Sequence, residues 1–289
     1  MTTARVRDEW RSRIAAEYGS AAITQHLVLW LIQLGAPPDL IDAGLAIVGD
    51  ELVHSRMSHE VYVAAGGSEP PAIVRAALAL QRVNESLEHD VLRVAVREFC
   101  LGETVAVPLF KRLRERCTQD LARAALDRIL RDEVRHRDFG WDLLDWRLSI
   151  DHDVAARVAA ALPAMLAELQ RAYGTGNLAV ADDDGAMTDD DRAWGLAPPR
   201  DYAEVLARTH GTRLPAAFRI TRNPDVTLTR LRNRLTGADR RATARHARSN
   251  IGRRCRWFGR GTRGVREVWP QSLGGVVQRR SLVVHVVAA

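Results

Sequence analysis

Asp132-Glu133-Val134-Arg135-His136 places a carboxylate and an imidazole three residues apart. On a helix that spacing puts Glu133 and His136 on one face, about one turn apart, where both can bind a single metal ion. Asp132 precedes His136 by four residues. A carboxylate there can accept a hydrogen bond from the far nitrogen of a ligand histidine, on its own helix or a facing one, fixing tautomer and orientation. The same pattern occurs earlier as Asp50-Glu51-Leu52-Val53-His54. One E-x-x-H on a helix is weak evidence, since surface pairs fall at this spacing by chance. Two D-E-x-x-H words in one chain suggest an internal repeat of a metal-binding unit.

Each word lies in a long apolar-periodic segment that has one such segment before it. The first pair of segments turns at Gly35-Ala36-Pro37-Pro38, and Glu17 lies about as far before that turn as Glu51 and His54 lie after it. The second pair turns near Cys117-Thr118-Gln119-Asp120, with Glu103 15 residues before Thr118 and Glu133 15 after it. Antiparallel helices joined by short turns would bring Glu17, Glu51, His54, Glu103, Glu133 and His136 to one level of a bundle, with Asp50 and Asp132 behind the histidines. Four carboxylates and two imidazoles form a hard, oxygen-rich donor set that favours iron or manganese over zinc. Glu98 competes with Glu103, but five residues turn it well away on an α-helix, so it is assigned to the surface or a supporting role. Glu60, His59, His26 and His89 read as surface or satisfied core residues. Tyr18, beside Glu17, reads as packing rather than a redox-active tyrosine, and Cys100 and Trp141 as core.

Four helices must position these groups, and a fifth helical stretch follows them. The first spans about 7–34, with Ile14, Tyr18, Ala21, Ala22, Leu29 and Ile32 recurring at three- and four-residue steps. The second runs about 38–64 to Gly66-Gly67, with Pro38 in its first turn. Residues 66–83 form a long connection that could hold a short helix after Pro70-Pro71. The third helix spans about 84–116, and Pro108 predicts a kink one turn past Glu103. The fourth covers about 120–148. A fifth amphipathic stretch runs from Val154 to Tyr173, with Pro163 as a kink. Residues 174–191 are Gly- and Asp-rich and read as a loop, with Asp189–Asp191 as a solvated face or helix start. Residues 200–218 could form one more short helix.

Composition separates this acidic body from its tail. Residues 219–289 carry 17 arginines against Asp225, Asp239 and Glu267, a net of +14, while the other 218 residues sum to −8. The high pI therefore belongs to the tail, and overall charge is no argument for nucleic-acid binding. After about residue 224 no helical or strand period is sustained, and the segment reads as disordered. Three cysteines, Cys100, Cys117 and Cys255, form no C-x-x-C pair and favour a reducing compartment. No early apolar run marks a signal peptide, and no apolar stretch reaches 18 residues. A cytoplasmic location is the expectation, with neither membrane nor nucleic acid as partner.

Over roughly residues 7–146 the donor pattern resembles the ferritin-like di-iron carboxylate superfamily: one Glu from each of two helices and Glu-x-x-His from each of the other two. The spacing is similar to bacterioferritins, rubrerythrins and bacterial multicomponent monooxygenase hydroxylases. Glu17-Tyr-Gly-Ser-Ala-Ala, Leu34-Gly-Ala-Pro-Pro-Asp-Leu and Cys100-Leu-Gly-Glu-Thr104 look most like uncharacterised bacterial ferritin-like domain proteins. The resemblance implies an all-α, ferritin-like four-helix bundle over 1–173, with a long crossover between helices 2 and 3. An acidic loop and short helical extension would follow over 174–223, then an Arg-rich tail over 224–289. It further implies two iron ions, with Fe/Mn or Mn/Mn as variants, and dioxygen as co-substrate. The implied partners are a small-molecule substrate or Fe(II) and an electron donor, with a homodimer admissible. An oxidoreductase acting on a small organic substrate is the leading expectation. The two D-E-x-x-H halves lean away from storage ferritins, and Ala21, Ala22, Gly102 and Ala106 suggest space beside the ligands. A ferroxidase of bacterioferritin type, or a non-catalytic protein with a vestigial site, are the alternatives.

Overall fold

The computed structural model describes residues 2–171 and 187–211, and within them all regular structure is helical. The acidic loop as far as residue 186 and the tail from 224 lie outside the described residues. Helix α1 (Ala4–Gln33) begins at a Thr3 cap whose hydroxyl accepts from the Val6 N–H. It ends where Gly35 adopts φ 65°, with Gly35 N–H donating to Ile32 and Ala36 N–H to Leu31. Only a residue tolerant of the left-handed region closes a helix in this way. Pro38 then opens α2 (Pro38–Ala64), whose end at Gly66 repeats the same closure.

The third rod is continuous but not uniform. It runs as α3 (Leu87–Val94), a π-helical stretch (Ala95–Glu103) and α4 (Thr104–Glu115). Its start is set by Ser86, whose hydroxyl accepts from the His89 N–H. The rod carries a π-helical irregularity on the N-terminal side of Pro108, which itself lies inside α4. Pro108 has no N–H to return to the carbonyl of Thr104, and the wider winding ends at that turn. Helix α5 (Asp120–Ile150) completes the set of four, and α6 (Val154–Gln170) packs outside, against α5 and the rod of α3.

Helix α1 packs on α2, α2 on α5, α5 on the π stretch and α4, and α3 on α1, so four rods enclose one interior. The long connection runs up the outside of α1. Arg11 Nε donates to the Pro70 carbonyl at 2.9 Å, and the Leu80 N–H donates to His26 Nδ1 at 3.0 Å. A short helical turn, Arg75–Ala77, interrupts it. Buried Asp90 ties its end, accepting from Arg82 Nε at 2.7 Å, Asn84 Nδ2 at 2.8 Å and the Val83 N–H at 3.1 Å. Two short helices, α7 (Asp189–Ala193) and α8 (Pro199–Leu206), follow. Thr188 and Asp191 cap α7 reciprocally, so the acidic run is a helix start. Trp194, Leu196 and Leu206 join the bundle's core, and Trp10 Nε1 donates to the Trp194 carbonyl at 3.0 Å.

The interior is two apolar clusters. One holds Trp10, Ile14, Val61, Phe110, Leu126 and Ile129; the other holds Ile23, Leu27, Leu40, Ile47, Phe99, Phe139 and Leu143. Along α1 and α2 a polar layer separates them. At Gly140 helix α5 lies so near the π stretch that an added Cβ would stand 2.4 Å from that of Phe99. One expectation fails on α1. Tyr18, Leu29 and Ile32 face outward, and the inner face is carried by Ile14, Ala21, Leu27, Val28 and Leu31, together with Glu9, Arg13, Glu17 and Thr24. The apolar period was shared between two faces because the inner one carries the ionisable groups.

Candidate metal centre

The polar layer is built from the two D-E-x-x-H words and one glutamate on each remaining rod. All six residues meet. Ligand atoms of Glu17, Glu51, His54 and Glu133 lie within 4.8 Å of one another, as do those of Glu51, Glu103, Glu133 and His136. Glu51 and Glu133 belong to both groups. Five of the six are buried, and Glu103 is partly exposed at the end of the π stretch. Glu98, five residues earlier, instead pairs with Arg97.

Each histidine turns Nδ1 toward the carboxylates. His54 Nδ1 lies 3.4 Å from Glu51 and 3.7 Å from Glu17. His136 Nδ1 lies 3.1 Å from Glu133 and 3.3 Å from Glu51. The two rings stand 5.8 Å apart, centre to centre. Each Nε2 faces the aspartate of the opposite word: His54 Nε2 to Asp132 at 3.1 Å, and His136 Nε2 to Asp50 at 3.5 Å. Antiparallel packing of α2 on α5 produces this exchange, because the residue before each glutamate points across to the partner helix.

Behind the aspartates stands a clamp that spacing alone did not reveal. Arg135 donates to Asp50 at 2.7 Å and to Asp132 at 2.8 Å. Arg128 donates to Asp50 at 3.1 Å and also to Asp132. Ser20 Oγ donates to Glu51 Oε1 at 2.9 Å. The signal for the arginines was present, since Arg128 and Arg135 lie four before and three after Asp132 on one helix. Ser20 lies on a different helix from Glu51 and had none. Of the other candidates, His59 and Glu60 are exposed, His26 is satisfied by Leu80, and Cys100 and Trp141 are core. Tyr18, taken as packing, is exposed.

Crowding four carboxylates out of water shifts their ionisation. Burial, aided by the charges of Glu51 and Glu133, raises Glu17 to about 8 against the pull of His54. Burial and the neighbouring Glu133 push Glu103 well above the usual carboxylate range. Burial opposes charge on His54, but Glu17 and Glu51 outweigh it and raise the imidazole to about 11. Burial likewise opposes charge on His136, and Glu133, Asp50 and Glu51 overcome it. Glu51, despite burial, is held low by both histidines. These opposed shifts let protons balance the cluster's charge when no cation does. Glu51 Oε2, His54 Nδ1 and His136 Nε2 nevertheless remain buried without a hydrogen-bond partner. Such atoms are costly unless something meets them, and two of the three lie among the carboxylates, where a cation would satisfy them. The donor set fits metal ions.

Fold and cluster together define an all-helical, bundle-like protein with a buried carboxylate–imidazole site able to hold metal. No protein-family model, curated protein or solved structure matches the chain. None of the described helices is long and apolar enough to cross a membrane.

Proposed function

We propose that this chain is a ferritin-like di-metal oxidoreductase, holding two iron ions (or iron with manganese, or two manganese) and activating dioxygen to oxidise a small organic substrate. The observation that carries the reading is the pair of four-donor groups sharing Glu51 and Glu133. Glu17 and His54 would complete one ion, Glu103 and His136 the other. Four carboxylates balance two divalent charges, and that hard donor set suits iron or manganese. When bound, such ions supply the electrons and open coordination positions that dioxygen chemistry requires.

The chain itself does the positioning. Asp132 holds His54 by its Nε2, so that Nδ1 is presented to the carboxylates. Burial of Glu17, Glu51 and Glu133 keeps bulk water from that side. Glu103, partly exposed, marks the side from which small reactants would enter.

Anaerobic loading of apo-protein with Fe(II), followed by oxygen, tests the assignment. Two irons per chain, oxidised once and then stalled in a small assembly, are expected. Excess iron mineralised inside a large cage would make iron itself the substrate and defeat the oxygenase reading. Failure to bind iron or manganese would leave a vestigial site.

A further inference from the structure

Next to the carboxylate layer lies a level of different character. One helical turn from the donors, toward the end of the bundle where α1 begins, each rod offers an inward residue. These are Arg13 before Glu17, Ser58 after His54, Ala106 after Glu103 and Ile129 before Glu133. None of the four is more than 2% exposed. Contacts between the rods fix the level. Ser55 Oγ donates to the Ile14 carbonyl at 3.1 Å, which sets α2 against α1 here. The Arg13 guanidinium lies 5.5 Å from the ring of Phe110, one turn past Ala106 on α4.

The two polar members of this level are short of partners. A guanidinium carries five N–H donors. Arg13 Nη2 donates to Glu9 Oε1 at 2.7 Å, and the Trp10 ring lies 4.4 Å from the guanidinium carbon. Nε and Nη1 have no hydrogen-bond partner among the described residues, and neither has Ser58 Oγ. A hydroxyl inside a helix can return to the carbonyl four residues back, as that of Thr104 does to Cys100, but Ser58 makes no such bond. Buried donors left unmet are costly, and their concentration at one level beside the cluster points to a ligand. One N–H on Nε, two on Nη1 and the Ser58 hydroxyl make four donor hydrogens. A carboxylate offers about four lone-pair sites to receive them.

We propose that this level binds the carboxylate of a small organic acid, and that such acids are the substrate class of the di-metal centre. The second half rests on the function proposed above. A monoanion suits the site better than a phosphate dianion, because Glu9 already answers part of the guanidinium's charge and a second uncompensated charge would be buried. Ser58 and Ala106 put small side chains on two of the four rods at this level. The donors stand about one turn away, so an acid held at Arg13 and Ser58 would present carbons several bonds from its carboxylate to the metals.

Isothermal titration of the full chain with straight-chain acids from acetate to octanoate, and with benzoate, each beside its primary amide, tests this. Titrations are run on the protein as purified and again after chelation of its metal. At least one acid should bind both forms with a stoichiometry near one, and about 10–100-fold tighter than its amide, the worth of charge-assisted hydrogen bonds. Arg13→Gln should lose that preference, while metal content and far-ultraviolet circular dichroism stay those of wild type. Should that variant fail to fold, Ser58→Ala should weaken the acid roughly fivefold, and Ala106→Leu should exclude acid and amide alike. The proposal is overturned if no acid in the series binds, if amides bind as tightly, or if inorganic phosphate binds in place of the acids. It is equally overturned if the preference survives Arg13→Gln, or if Ser58→Ala and Ala106→Leu leave affinity unchanged. An acid that binds only while metal is present is a metal ligand, and that result also overturns it. Acid binding is read without iron oxidation. Its absence beside intact two-iron loading strikes this proposal alone, and acid binding by a chain that takes up no iron strikes the proposed function instead.

Discussion

The two helix pairs carry the same D-E-x-x-H word, yet the structure treats them unequally. In the α1–α2 pair both glutamates are buried, and His54 is held at 3.1 Å by a fully buried aspartate from α5. In the second pair Glu103 is partly exposed on a π-helical stretch, and His136 stands 3.5 Å from Asp50, which lies near the surface under two arginines. The outer faces differ as well: bare of charge on α1 from Ile14 to Gln33, but lined on α5 by Arg123, Asp127, Arg131, Arg135, Asp138 and Asp142. A repeated motif therefore specifies a donor set but not equivalent sites. Each half inherits its surroundings from the helix opposite.

The largest test of this asymmetry removes carboxylates one at a time and counts bound metal by elemental analysis. Glu51→Ala or Glu133→Ala should lose both ions, since each carboxylate serves both donor groups. Glu17→Ala and Glu103→Ala should each retain about one of two. Equal loss in all four variants would mean that the donors act as one indivisible site.

A smaller effect separates the aspartates. Asp132→Ala should weaken metal binding roughly 10–100-fold, as loss of a histidine's supporting hydrogen bond does elsewhere. Asp50→Ala should cost less, because its histidine contact is longer and its main partners are Arg128 and Arg135. Competition titration with a chelator measures both, and equal losses would erase the distinction.

The smallest expected effect concerns the connection between the halves. Burial disfavours charge on Asp90, but Arg82 and the amides of Val83 and Asn84 outweigh it and hold the carboxyl below its ordinary range. A folded-state value below the unfolded one stabilises above the unfolded value, near 3.9, and that contribution fades as pH falls through the folded value. Asp90→Ala should therefore cost about 1–3 kcal/mol at neutral pH, and the gap to wild type should close in acid. Urea unfolding at several pH values measures it. Metal content of this variant should stay that of wild type, because Asp90 is outside both donor groups.

The sequence by itself located the main helices and the six residues that meet in the polar layer. Helix ends are written in local chemistry: Gly35 and Gly66 for left-handed closure, Pro38 for a first turn, Ser86 for a cap. The donors were legible because a helix converts spacing into direction, and two matched turns convert distance along the chain into level. Only the tertiary structure decided which aspartate serves which histidine, since that depends on how α2 crosses α5. It also decided that Glu51 and Glu133 are the shared pair, and that Ser20, Arg128 and Arg135 stand behind the cluster. The apolar period of α1 could not say which of its faces looks inward. Tyr18, Leu29 and Ile32 obey the helical rule as well as the core residues do, and only packing against α2 placed them outside. The winding before Pro108 was hidden for the same reason: proline removes a hydrogen bond locally, but where the helix absorbs the loss depends on what packs beside it.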